Sequence, residues 1–349
     1  MTASPRVEIV TDPTEWDALV GELGGHPLQL WGWGQVKARG AWRAHRVKVL
    51  ADGRTIGLAQ VLERRLPFPF RALSYVPRGP VVAPSDTQAP AGYGVGDADT
   101  RAAVCAAVVA WCREHIGGVG VSLEPDWPAG TDLDLPGVVR GEQRILHSHT
   151  LILDLTRDAD ELMAAMGRTT RADVRKGGRD VEIRRVTSEE ELRGVLDVYK
   201  DTAARAGFEL HPDGYYVAIH RELGDASVVV AAFHEGRPCA FVWDAVSGAT
   251  AFELYGGIDD VGRKARANAP VKWHAVRLAQ DAGALRYDIN GLLNDGISEF
   301  KRSFAQHEDE LVGTLDVPFS PLYRVWVRAL PRMKQVLRVL RRRSGGAQG

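Results

Sequence analysis

Cysteine is scarce in this chain, with three residues in 349, at positions 105, 112 and 239. That spacing fits neither a disulfide framework nor a zinc motif. Cys105 and Cys112 instead fall on one face of a helix, so reduced, buried thiols are expected. None of the ten histidines has a partner at His-x-x-x-His spacing. His147 and His149 alternate beside a strand but lack further ligands, so neither a metal centre nor a cofactor is expected. Long apolar runs are missing too: there is no stretch of eighteen apolar residues and no basic, apolar-cored leader at the start. A cytoplasmic protein is the expectation. Charge of one sign is also lacking, since the net charge is −1. The chain as a whole is no polycation, and any nucleic-acid contact must come from a local patch.

What is present is the makeup of an ordinary soluble protein, 45% hydrophobic and 26% charged. The length exceeds the roughly 250–300 residues over which a single core keeps growing, so two domains are expected. Residues 46–50 and 56–62 read as strands around the Asp52-Gly53 turn, followed by a strand at 73–76. A helix is predicted over 100–115, with Ala103, Ala106, Ala107, Ala110 and Trp111 inward and Gly117-Gly118 ending it. A strand follows at 119–123, and 83–96 reads as a loop.

The second cycle begins with a strand at 149–155, then a helix capped by Asp158 or Asp160 and an arginine-rich segment at 168–179. After a strand at 181–186, Ser188 and Glu191 form a capping-box pattern. A hairpin is predicted at 228–246 around Glu235-Gly236, then a strand at 249–255. Pro270 suits the first turn of a helix with Val271, His274, Leu278 and Ala282 inward. The order strand, hairpin, strand, helix, strand thus occurs twice. An α/β duplication follows, with its boundary near His147 separating residues 1–147 from 148–317.

Residues 254–304 hold the densest chemistry. Leu254-Tyr255-Gly256-Gly257 precedes the helix, Tyr287-Asp288-Ile289-Asn290-Gly291 follows it, and Phe300-Lys301-Arg302-Ser303-Phe304 comes last. If 297–304 is one short helix, Ile297, Phe300 and Phe304 share a face and Lys301 projects from it. An ammonium among phenylalanines is expensive unless it meets an anion or does chemistry. The alternative is a lysine that lays its stem on apolar surface with its head in water.

These motifs resemble the second domain of the FemXAB aminoacyltransferases. Trp31-Gly32-Trp33 before Lys37, and Ser74-Tyr75-Val76-Pro77-Arg78-Gly79-Pro80, are similar to that family's first domain. Arg168-Thr169-Thr170-Arg171 through Arg175-Lys176-Gly177 resembles its arginine-rich helix. The likeness runs in order from about Pro27 to about Asp316. It implies two tandem GNAT-like domains (the acyl-CoA N-acyltransferase fold), with the chain from about Pro318 to its end packing back on the first. Some members insert a coiled-coil arm, but nothing between Arg157 and Asp316 is long enough for one.

By that resemblance the donor is aminoacyl-tRNA and the acceptor is the stem-peptide amine of a peptidoglycan precursor, nucleotide-linked or as lipid II. The transferred residue is glycine first, with alanine or serine as other small choices, and the protein acts as a monomer. A tRNA-dependent transferase acting on a peptidyl antibiotic or another small amine is the competing reading. A degenerate domain pair that only binds precursor or tRNA is a third. Residues 263–271 stand where a GNAT domain cradles pyrophosphate with R/Q-x-x-G-x-G/A. They lack the glycines, and Pro270 has no N–H, which disfavours acetyl-CoA.

Lys301 is the candidate for stabilising the oxyanion, or else contacts tRNA phosphate. Asp288 is either general base or a strand-end structural carboxylate. The resemblance assigns acceptor binding to Lys37, Arg205, Tyr215 or Tyr216, and Tyr255, with Phe300 beside Lys301. Gly256-Gly257 would let a ligand approach the backbone. Arg168, Arg171, Arg175 and Lys176 form either a tRNA track or a solvated face. Residues 330–343 form an amphipathic basic tail that could touch anionic lipid at the inner membrane surface, touch tRNA, or cap the first domain.

Overall fold

The computed structural model describes residues 5–84, 95–141, 145–292 and 296–328. The first half contributes β1 (Arg6–Ile9), α1 (Pro13–Glu22), α2 (Trp31–Ala38), β2 (Trp42–Ala51), β3 (Arg54–Arg65), β4 (Ala72–Pro77), β5 (Val81–Val82), α3 (Ala98–His115), β6 (Gly120–Glu124) and β7 (Val139–Arg140). The second contributes β8 (His149–Thr150), β9 (Ile152–Asp154), α4 (Ala159–Ala165), α5 (Arg168–Lys176), β10 (Glu182–Arg185), α6 (Glu189–Ala206), α7 (Asp213–Leu223), β11 (Ser227–His234), β12 (Arg237–Ser247), β13 (Thr250–Ile258), α8 (Asp260–Lys264), α9 (Asn268–Asp281), β14 (Arg286–Asp288) and α10 (Gly296–Arg302). The chain then runs through β15 (Asp309–Glu310) and β16 (Leu315–Pro318).

Two sheets have the same plan. One runs β1-β2-β3-β4-β6-β16-β7 and the other β10-β11-β12-β13-β14-β9. Within each, the single parallel pair is the one bridged by a long helix, β4 with β6 around α3 and β13 with β14 around α9. Beside each parallel pair lies an antiparallel strand, β16 in one sheet and β9 in the other. These two strands come from opposite ends of the second half, which ties the halves together. The return to the first sheet therefore starts at Leu315, earlier than the expected Pro318. The expected strand over 149–155 is divided at Leu151, because β8 pairs with β15 while β9 pairs with β14.

Local sequence explains the ends of the elements. Asp158 and Glu161 form a complete capping box on α4. Ser188 accepts from Glu191 N at 3.2 Å, but the Glu191 carboxylate returns to Thr187 N rather than to Ser188. The hairpin β11–β12 turns through Glu235 and Gly236, both at positive φ. The buried face of α3 is Val104, Cys105, Val108, Val109, Trp111 and Cys112, rotated from the expected alanine face. Valine and cysteine side chains remove more apolar area from water than alanine does, so they take the sheet. All three cysteines are free and buried, and burial pushes the Cys105 and Cys112 thiols up to about 12.

The halves share one apolar core. Trp16, Leu28, Leu30, Trp33 and Val36 pack with Val195, Tyr199, Tyr216, Ile219, Trp243 and Phe252. A Cβ on Gly32 would lie 2.0 Å from Glu222 O, so only glycine lets α2 meet the end of α7 this closely. Among the described residues, no helix is long and apolar enough to cross a membrane. Residues 330–343, read as a basic tail, lie outside the described residues.

Candidate functional site

The strands β13 and β14 pair over only three positions, Thr250, Ala251 and Phe252 with Arg286, Tyr287 and Asp288. β13 then continues alone while the chain after Asp288 turns aside at Asn290 (φ 57) and Gly291 (φ 40), which places two consecutive left-handed residues where the strands part. A cavity of about 370 Å³ opens at this fork, along Glu253 to Ile258. Leu254 is an extra residue in β13, since Glu253 opposes Asp244 and Tyr255 already opposes Trp243. The bulge re-aims Tyr255 onto the face with Tyr199, Tyr216 and Trp243, and leaves Glu253 on the face covered by α9.

Lys301 lines the cavity from α10, half-buried. Its Nζ donates to Asn290 O at 2.5 Å and lies 3.4 Å from Gly291 O. The turn that splits the fork therefore also holds the ammonium at its mouth. Phe300 lines the same wall and meets Phe304 edge-on at 5.3 Å. Ile297, expected on the packed face, is 44% exposed, and Phe304 lies past the end of the helix, fully buried. The shared apolar face is thus confined to Phe300 and Phe304.

The sequence reading missed the charged floor of this cavity. Lys272 on α9 and Glu253 on β13 are both buried and pair at 2.5 Å, with the ammonium 5.4 Å from the Phe300 ring centre. Beside them Tyr287 donates to Asp244 Oδ1 at 2.8 Å. Burial, and then the neighbouring Glu253 charge, push the Asp244 carboxyl up to about 8. The available signal was Lys272 itself, set between Val271 and Trp273 in α9.

A second set of predicted residues meets at the seam of the halves. Lys37 of α2 donates to Tyr215 Oη of α7 at 2.7 Å and lies 4.3 Å from the Trp33 ring centre. Burial lowers its ammonium to about 8 and raises the Tyr215 phenol to about 12. The Tyr215 phenol lies close enough to perturb that of Tyr255, which lines the cavity. Lys37, Tyr215 and Tyr255 thus form a track from the first half into the cavity. Tyr216 is buried and accepts from His211 N at 3.1 Å. Arg205 lines the cavity rim and donates to Ile258 O at 2.7 Å.

Other expectations are revised. Asp288 is 1% exposed and is not among the residues lining the cavity. Strand alternation turns it away from Tyr287 and into the seam, where Thr150 Oγ1 and Asn290 N donate to it. Its burial and hydrogen bonds are those of a carboxylate built into the seam. His26, Asp126 and Asp288 bring potential ligand atoms within 4.8 Å of one another. His26 Nδ1, however, accepts from Leu28 N, so the neutral ring carries its proton on Nε2, and Arg286 pairs with Asp126. His26 Nε2, Asp126 Oδ1 and Asp288 Oδ2 are buried without a hydrogen-bond partner among the described residues. Both glycines line the cavity, and a Cβ on Gly257 would also meet the Phe241 ring at 2.7 Å.

The arginine-rich α5 packs beside α10, with Gly167 N donating to Ser303 O and Thr170 Oγ1 to Ser303 Oγ. Arg168, Arg175 and Lys176 are exposed, and Arg171 donates to Ala164 O. Between β13 and α9, where acetyl-CoA binding would need free amides, Ala265 N, Arg266 N and Ala267 N donate to Val261, Arg263 and Gly262 carbonyls. Those amides are committed within the loop and offer no pyrophosphate cradle.

The family described as an acetyltransferase (GNAT) domain matches residues 141–302. The chain is 23% identical over 413 aligned positions to the lipid II:glycine glycyltransferase of Staphylococcus aureus (strain USA300), covering 91% of this chain and 94% of that one. A crystal structure of FemX superposes with a TM-score of 0.79 at 20% identity, over 92% of this chain and 100% of the other. A tandem GNAT protein from the clavulanic acid biosynthesis pathway superposes with a TM-score of 0.50 at 12% identity, over 91% of this chain and 99% of the other. The fold is thus two tandem GNAT-like domains.

Proposed function

We propose, from the premise that this chain is FemXAB-like along nearly its whole length, that it is an acyltransferase of cell-wall synthesis. It moves glycine from glycyl-tRNA onto the stem-peptide amine of a peptidoglycan precursor. The observation that carries the reading is the cavity at the β13–β14 fork, with the Lys301 ammonium at its mouth and a cation–phenol track leading in from the first half. Support for the acceptor and for glycine comes from the similarity to the staphylococcal lipid II:glycine glycyltransferase. The commitment of the 265–267 amides to carbonyls, with Pro270 lacking an N–H, favours a donor other than acetyl-CoA.

The donor ester is already activated, so no enzyme nucleophile is needed. The acceptor nitrogen attacks the ester carbonyl, the C–N bond forms, and the bond to the ribose oxygen breaks. The amine proton leaves and the ribose oxygen takes one up. Lys301 faces the developing oxyanion as a fixed cation in a partly dry site, where such a charge acts most strongly. Lys37, Tyr215, Tyr255 and Arg205 donate to the anionic groups of the acceptor. Arg168, Arg171, Arg175 and Lys176, beside α10, follow the tRNA backbone. Asp288 takes no part, being held in the seam.

The test is transfer of labelled glycine from charged tRNA to the precursor by purified protein. Lys301→Ala lowers kcat by about 10²–10³-fold, the usual loss for removing one oxyanion donor, while acceptor KM stays within a few-fold. Unchanged turnover in that variant overturns lysine-centred catalysis. Transfer to unrelated amines in preference to muramyl peptide overturns the choice of acceptor.

A further inference from the structure

The tip of the β3–β4 hairpin, residues 66–71, has no role in the proposed chemistry. It reads Leu66-Pro67-Phe68-Pro69-Phe70-Arg71, and Phe68 is 95% exposed. The tip is firmly built: Leu66 N donates to Arg71 O at 2.8 Å and Phe70 N to Pro67 O at 2.9 Å. Leu66 and Phe70 turn inward onto a small core with Tyr323 and Trp326, the Phe70 and Trp326 rings lying 5.3 Å apart. Phe68 is therefore held outward with its neighbours anchored behind it. The flanking Pro67 and Pro69 carry no N–H, so the tip presents few backbone donors that need water.

Exposed arginines lie on the same two segments. Arg64, Arg65 and Arg71 come from the hairpin, and Arg324 and Arg328 from helical residues 322–328 packed behind it, where Val325 is 53% exposed. Glu63 pairs with His45 at 2.9 Å, and Glu114, on the last turn of α3, is exposed. A single exposed apolar residue is ordinary on a soluble protein. An outward phenylalanine between prolines, on segments carrying five exposed arginines, instead has the makeup of a surface that enters the headgroup layer of an anionic bilayer. Trp42, whose register partner is Arg64, begins β2 just after the turn from α2, which carries Lys37. The basic tip thus lies at the same end of the first half as the proposed acceptor track.

We propose that the β3–β4 tip is a docking surface for a membrane containing anionic phospholipid. Phe68 inserts among the headgroups while Arg64, Arg65, Arg71, Arg324 and Arg328 face the lipid phosphates. This deepens the proposed function and rests on it only for the reason to meet a membrane; vesicle binding is measured with neither donor nor acceptor, so each can fail alone.

The experiment is co-sedimentation of the full chain with vesicles of phosphatidylglycerol and phosphatidylcholine, and with vesicles of phosphatidylcholine alone. The protein pellets with the anionic vesicles and not the neutral ones, and high salt releases it. Phe68→Ser weakens binding about tenfold, and the triple variant Arg64→Gln/Arg65→Gln/Arg71→Gln about a hundredfold. Phe68→Ser turns over a soluble nucleotide-linked acceptor like the parent, which shows that it is folded. Equal binding to neutral vesicles overturns the proposal, as does anionic-vesicle binding indifferent to Phe68 and the three arginines. Loss of tRNA binding in the triple variant, with no vesicle binding by the parent, assigns the surface to nucleic acid and likewise overturns it.

Discussion

Replacing Lys272 with methionine leaves Glu253 as a buried carboxylate without its cation, directly below the proposed site. The ammonium and carboxylate lie 2.5 Å apart, and the two side chains are only 3% and 6% exposed. At an effective dielectric of about 20, that separation corresponds to about 7 kcal/mol of attraction. Most of it offsets the desolvation of two ions, so the pair adds little over a well-packed neutral pair. Breaking it from one side is different, because the remaining charge keeps its desolvation penalty, and about 3–5 kcal/mol is lost. That is a large share of the 5–15 kcal/mol typical of a folded protein. The second acid in the network cannot relieve the loss, since Asp244 already holds its proton at neutral pH. Urea unfolding at pH 7, followed by tryptophan fluorescence, measures the effect. Lys272→Met loses about 3–5 kcal/mol, and the double variant Lys272→Met/Glu253→Gln recovers to within about 2 kcal/mol of the parent. A single-variant loss below about 1 kcal/mol, or a double variant no better than the single, refutes a buried ion pair here.

Other outcomes follow from the same geometry. The Asp244 carboxyl is raised to about 8 in the fold, so the native state holds a proton that the unfolded chain releases near pH 4. The stability this group contributes is therefore fully present below that point and is lost by up to about 1.4 kcal/mol per pH unit until pH 8. Asp244→Asn flattens this slope in urea titrations at several pH values, and an unchanged slope counts against the assignment. Lys37, lowered to about 8, loses its charge above that pH. Acceptor KM should then rise through pH 8, with no such rise in Lys37→Arg; a shared rise removes Lys37 from acceptor binding. Gly32→Ala sets a methyl 2.0 Å from Glu222 O and should lower stability by about 2 kcal/mol or more, since backbone must move. A thermal unfolding midpoint within a degree of the parent would contradict the close α2–α7 contact.

The duplicated strand–hairpin–strand–helix order was legible because turn signals such as Glu235-Gly236 and caps such as Asp158 act over a few residues. Lys301 and Lys37 could be singled out for the company they keep in sequence, and Trp31-Gly32-Trp33-Gly34 now has a physical reason in the α2–α7 contact. Less visible was the α3 face, where alanines and valines alternate and periodicity alone does not say which row meets the sheet. The split of 149–155 into β8 and β9 was also hidden, because the partner of β8 lies at Asp309–Glu310, far along the chain.

Sequence by itself determined two α/β units, free buried cysteines, and a lysine and an arginine-rich helix in the order the FemXAB resemblance implies. Tertiary structure alone decided which charges share a site. Glu253 and Lys272 meet because a bulge at Leu254 and the helix α9 bring two distant residues face to face. Asp288 lies away from the cavity because strand alternation turns it into the seam, and Lys37 meets Tyr215 because α7 of the other half supplies it. Spacing along a chain fixes what happens within an element. Partnership across elements depends on register, bulges and close packing, which arise only when both halves condense around their common core.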